Sequence, residues 1–156
     1  MRVRNKLAIV ALAAFAAVFP ASATDIGFEG WGVRGGVSDS LDQVVFGVHV
    51  NMGEFVDNLR FRPAFEAGFG DDATVLLLSA PVHFVFEVGQ SFQPYVGGGI
   101  GLGWVDFDDA DSETEIGLFV TGGLEWQLKN DSAVGVEVDV HFDDIYDAQL
   151  MATWSF

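Results

Sequence analysis

From residue 24 onward the chain alternates apolar and polar positions with a period of two. Between Ala133 and Phe142, one face carries Val134, Val136, Val138, Val140 and Phe142, and the other Gly135, Glu137, Asp139 and His141. Leu59 to Glu66 and Ile116 to Lys129 follow the same design. Successive side chains of an extended backbone point to opposite sides, so this pattern predicts strands with two unlike faces. No stretch carries a helical period. Eight strands are expected, at 29–38, 42–53, 58–69, 73–88, 93–107, 114–128, 132–142 and 146–156, separated by turn residues such as Gly70-Asp71-Asp72, Lys129-Asn130-Asp131 and Asp143-Asp144. Pro63 and Pro81 fall inside two of these strands. Each lacks an N–H donor and predicts a bulge or a nearby strand end.

The two faces meet different surroundings. One set holds Trp31, Val33, Val44, Phe46, Val48, Phe61, Phe65, Leu76, Leu78, Val82, Phe84, Phe86, Leu118, Val120, Leu124, Trp126, Val134, Val136 and Val138. The other holds Arg34, His49, Asn51, Arg60, Arg62, Glu66, His83, Glu87, Glu125, Gln127, Glu137, Asp139, His141, Gln149 and Thr153. Eight strands enclose only a narrow interior, which polar side chains can fill as one hydrogen-bonded network. The apolar set is then the outer wall. An open edge in hydrocarbon would strand backbone amides, so the first and last strands must pair. The expected class is all-β: an eight-stranded antiparallel up-and-down transmembrane β-barrel. A soluble exported barrel carrying an apolar ligand is the alternative, and it needs the reverse orientation of the two faces.

The first residues add a destination. Arg2, Arg4 and Lys6 precede an uncharged apolar run from Leu7 to Phe19, followed by the small-x-small triplet Ala21-Ser22-Ala23. That layout predicts a cleaved signal peptide over 1–23, leaving 24–156 as a single barrel domain. The run is too short for a spanning helix. All 23 acidic residues of the chain lie beyond it, against the four remaining cations Arg34, Arg60, Arg62 and Lys129. Such a balance argues against nucleic acid and bare anionic lipid as partners. The absence of cysteine excludes disulfides and thiolate metal sites.

Three groups of residues are candidates for chemistry. Arg34, Arg60, Arg62, Glu66, Glu87, Glu125, Glu137, Asp139 and His141 form a predicted interior polar network. Such charges are tolerated when paired, and the network is expected to plug the barrel. Gly97, Gly99, Gly101 and Gly103 share the inner face and are expected to make room for Arg60 and Arg62 from the far wall. Their spacing does not fit a phosphate-binding loop, and no helix follows. Asp106, Asp108, Asp109 and Asp111 lie in an acidic outer loop. Hard oxygen ligands there suit Ca²⁺ or Mg²⁺ bridging to lipopolysaccharide phosphates, although the glycine and glutamate of an EF-hand loop are missing. No cofactor is expected.

Gln93-Pro94-Tyr95-Val96-Gly97-Gly98-Gly99-Ile100-Gly101-Leu102-Gly103, the later Thr121-Gly122-Gly123-Leu124-Glu125 and the terminal Phe156 resemble the opacity-protein and OmpA-like family of small outer-membrane barrels. The resemblance implies a barrel in the outer membrane of a Gram-negative-type bacterium, surrounded by lipid and lipopolysaccharide. It also implies insertion by the barrel-assembly machinery, which reads the last strand, here through Trp154 and Phe156. It implies no single activity, and a monomer without catalysis is expected. Lipid A hydrolases of the same size resemble this chain too, but carry a His-x-Ser pair where this one reads His141-Phe142-Asp143. Trp31, Tyr95, Trp104, Trp126, Tyr146 and Trp154 are expected as girdle residues at the lipid–water boundary.

Overall fold

The computed structural model describes residues 25–39, 42–70, 73–107, 111–142 and 148–156. Residues 1–23, where the sequence predicts a signal peptide, and Tyr146 lie outside them. The described strands are β1 (Asp25–Ser38), β2 (Gln43–Val56), β3 (Leu59–Phe61), β4 (Ala64–Phe69), β5 (Ala73–Val85), β6 (Phe92–Phe107), β7 (Glu113–Gln127), β8 (Ala133–His141) and β9 (Ala148–Ser155). β3 and β4 stand end to end between β2 and β5, so these segments make eight staves. Each stave is antiparallel to its neighbours, and β1 pairs with both β2 and β9. The sheet is therefore closed, as the need to satisfy every backbone amide predicts.

The third stave breaks at Arg62-Pro63, where the sequence placed a proline in a strand. Pro63 has no N–H to give, yet its carbonyl still accepts from the Val50 N–H at 2.9 Å. β5 continues through Pro81, which pairs with Gly99 on its other side while its carbonyl accepts from the Arg62 N–H at 3.3 Å. The two prolines thus weaken one level of one seam and leave the barrel closed. Near the end of β2, Gly53 takes φ 77°, a left-handed conformation that costs glycine little. The β2–β3 register shifts beside it, between Glu54 and Val56.

The outer wall is apolar. Phe46, Phe65, Leu78, Val96, Leu118, Val138, Leu150 and Trp154 all project outward and are exposed. Aromatic rings gather on this wall where β1 begins and β9 ends: Trp31 and Trp154 lie 5.1 and 5.7 Å from Phe156, and Phe92 lies 5.4 Å from Trp126. We call this the terminal end. At the opposite, loop end, β1 passes to β2 and β4 to β5.

The interior is not uniform. Towards the loop end it is lined by Val45, Val75, Leu77, Val105, Phe119 and Met151, all buried. From mid-barrel to the terminal end it is lined by the buried Arg34, His49, Arg62, Glu66, His83, Glu125, Glu137 and Asp139. The polar network expected to fill the interior therefore occupies only part of its length. Alternation fixes which side chains point inward, but leaves their polarity free to change along the barrel.

Candidate functional site: the barrel interior

The charged interior falls into two clusters. In the first, Arg34 Nη2 donates to Glu137 Oε1 at 2.5 Å and to Asp139 Oδ2 at 3.0 Å. Its Nε lies 3.0 Å from Glu66 Oε1, an ion pair whose angle does not make it a hydrogen bond. In the second, Arg60 Nη1 and Arg62 Nη2 share the two oxygens of Glu125 at 2.9 and 2.5 Å. Arg62 Nε also donates to Asn51 Oδ1 at 2.8 Å.

Tyr95 joins the clusters. Its hydroxyl donates to Glu137 Oε2 at 2.6 Å. The guanidinium carbons of Arg60 and Arg62 stand 5.5 and 5.9 Å from its ring centre, within cation–π range. The His83 ring packs 4.7 Å away. Tyr95 is therefore an interior residue and not a girdle residue. Alternation already carried that signal, since Tyr95 shares the face of Gly97, Gly99, Gly101 and Gly103.

Glycines set the geometry in a way that the sequence order hides. Three times, a side chain on one strand reaches across a glycine of the next strand to a partner on the strand beyond. Arg34 on β1 faces Gly47 on β2, which faces Glu66 on β4. Tyr95 on β6 faces Gly123 on β7, which faces Glu137 on β8. His49 on β2 faces Gly32 on β1, which faces Ser155 on β9, and His49 Nε2 lies 2.9 Å from Ser155 Oγ. A Cβ on Gly123 would collide with the Tyr95 ring and hydroxyl, and one on Gly32 with the His49 ring and the Trp154 carbonyl. The glycines of β6 work differently from expectation: Gly97 lies against His83 and Gly101 against Leu77. Arg60 and Arg62 pack on Tyr95 instead of over the glycine row.

Of the sequence-predicted network, Arg34, Arg60, Arg62, Glu66, Glu125, Glu137 and Asp139 are brought together. His141 is buried beside them, stacked on Phe119 at 5.1 Å between ring centres. Glu87 is not part of the network. β5 ends at Val85, and Glu87 is exposed beyond it. Alternation was carried two residues past the true strand end. Four interior carboxylates thus face three arginines. At mid-barrel, the gap bordered by Arg34, Glu66, Leu77, Phe119 and Glu137 does not admit a water-sized sphere. The acidic loop is only partly described. Asp106 and Asp111 are exposed, while Asp108 and Asp109 lie outside the described residues. Among the described residues no three His, Cys, Asp or Glu side chains are grouped as metal ligands. Trp154 and Phe156 face outward at the terminal end.

No protein-family model and no curated protein matches the sequence. Solved structures do match in three dimensions. Neisserial surface protein A superposes with a TM-score of 0.64 at 15% identity, over 81% of this chain and 92% of that one. The N-terminal β-barrel domain of Pseudomonas aeruginosa OprF gives 0.63 at 14% identity, over 83% and 99%. The outer-membrane enzyme PagL gives 0.52 at 12% identity, over 81% and 98%. The fold is that of a small eight-stranded outer-membrane barrel. At these identities it is the fold alone that is shared.

Proposed function

We propose that the chain is an integral outer-membrane barrel with a sealed interior and a structural or interaction role, exported by the signal peptide at 1–23. One observation carries this reading: a closed sheet turns its apolar side chains outward and its ion pairs inward. That arrangement suits hydrocarbon outside and needs no water within. A soluble carrier of apolar ligands needs the reverse. Both termini would face the periplasm and the acidic loops would face outward among lipopolysaccharide. The aromatic last strand, ending in Trp154 and Phe156, would be the element read by the barrel-assembly machinery.

The non-enzymatic part of the reading is also a proposal, because PagL shares the fold. Support comes from a serine–histidine contact in the interior, His49 with Ser155. Both residues are buried inside the barrel, and His49 Nδ1 has no partner among the described residues to orient it as a base. The deciding experiment is membrane fractionation with gel mobility before and after boiling. Recovery in the outer membrane with a heat-dependent mobility shift is expected. Recovery as a soluble periplasmic protein without detergent would refute the proposal.

A further inference from the structure

The two interior clusters are unequal in charge. Around Arg34, three carboxylates surround one guanidinium. At the terminal end, Arg60 and Arg62 share the single carboxylate of Glu125. Tyr95 stands between the clusters, so the excess carboxylates at mid-barrel do not touch this arginine pair. Arg62 is 1% exposed, yet its Nη1 has no hydrogen-bond partner among the described residues, and neither do Nε and Nη2 of Arg60. Unpaired guanidinium donors in a low-dielectric interior are costly and are ordinarily met by an acceptor.

Arg60 is placed where such an acceptor can arrive. It lies one residue into β3, just after the Asp57-Asn58 turn, and its side chain is 12% exposed. Glu54 stands opposite Arg60 in the β2–β3 register without forming an ion pair with it, its Oε2 accepting from the Asn58 N–H at 3.0 Å. Glu125 apart, the other polar neighbours are neutral. Asn51 accepts from Arg62, and Gln127 Nε2 spans Gln93 Oε1 at 3.4 Å and Glu125 Oε1 at 3.2 Å, contacts weak enough to yield. Approach from the loop end is blocked by Val75, Leu77, Val105, Phe119 and Met151.

We propose that Arg60 and Arg62 form a binding site for a tetrahedral oxyanion of the phosphate class, entered from the terminal end of the barrel. Two guanidinium forks offer paired N–H donors that match such an anion better than they match chloride. The site gains its specificity from Tyr95 and Glu125, which hold the two forks on one side of the interior. Its location in the periplasm rests on the outer-membrane reading above. Binding itself does not, and it can be measured on the full barrel in maltoside micelles whatever its topology.

Thermal unfolding is followed with inorganic phosphate and with chloride at matched ionic strength. The midpoint is expected to rise with the logarithm of phosphate concentration, as mass action requires. Arg60→Gln should abolish the rise. No rise in the parent, or an equal rise in Arg60→Gln, overturns the site. A second readout needs no variant: the ³¹P line of inorganic phosphate should broaden with the folded barrel and sharpen when excess sulfate competes. An unbroadened line overturns the proposal. Repetition in phosphatidylcholine nanodiscs separates the sources of the ligand. A shift in both media supports a free anion, and a shift in micelles alone supports a lipid headgroup phosphate on the same donors.

Discussion

The two halves of the barrel interior are built on different physics. The loop half carries aliphatic and aromatic side chains, from Val45 and Val75 to Phe119 and Met151, with only the uncharged polar groups of Ser38, Gln43, Ser79 and Gln149 among them. The terminal half is filled by guanidiniums and carboxylates that depend on one another for hydrogen bonds. Apolar packing is non-directional and tolerates exchange of like for like. A buried ion-paired network is directional, and losing one member leaves its partners charged and stranded. A narrow barrel needs both. The apolar half closes the bore against water. The polar half fixes which strands stand beside which, through reaches such as Arg34 to Glu66 across Gly47.

This contrast makes the halves respond differently to substitution. The largest effect is expected at Arg34, which contacts three carboxylates. Arg34→Ala should destabilise the folded barrel by about 3–5 kcal/mol, read by denaturant unfolding in micelles. A loss below that range would show that the carboxylates around it re-pair, and that the network is less directional than its geometry suggests. Tyr95→Phe comes next. It removes one donor from Glu137 while keeping the ring under Arg60 and Arg62. The expected cost is about 1.5–3 kcal/mol, the range for hydrogen bonds to charged groups. The smallest effect is expected in the apolar half. Leu77→Met conserves volume and should cost less than about 1.5 kcal/mol. If it cost as much as Arg34→Ala, the distinction between the halves would fail.

Much of the fold was legible in the alternation. Trp31, Phe46, Leu118 and Val138 lie on the outer wall, and Glu66, Glu125 and Glu137 inside, because a period of two fixes sides once the strand is granted. Strand ends were less legible. Glu87 sits two residues beyond β5, and the third stave breaks at Pro63, because where pairing stops depends on the neighbouring strand. Tyr95 was legible but misplaced, its ring read for its amphipathic chemistry and not for its position in the alternation.

The sequence alone determined the sidedness of the strands, and with it an apolar wall around charged residues. It does so because each residue's side follows from its neighbours along the chain. Only the tertiary structure decided partners. Arg34 finds Glu137 at a separation of 103 residues, and His49 finds Ser155 at 106. These pairs depend on register between strands, and His49 reaches Ser155 only because Gly32 lies in the row between them. Alternation and the turns fix register within each hairpin, but the β1–β9 seam across which these pairs meet forms only when the sheet closes.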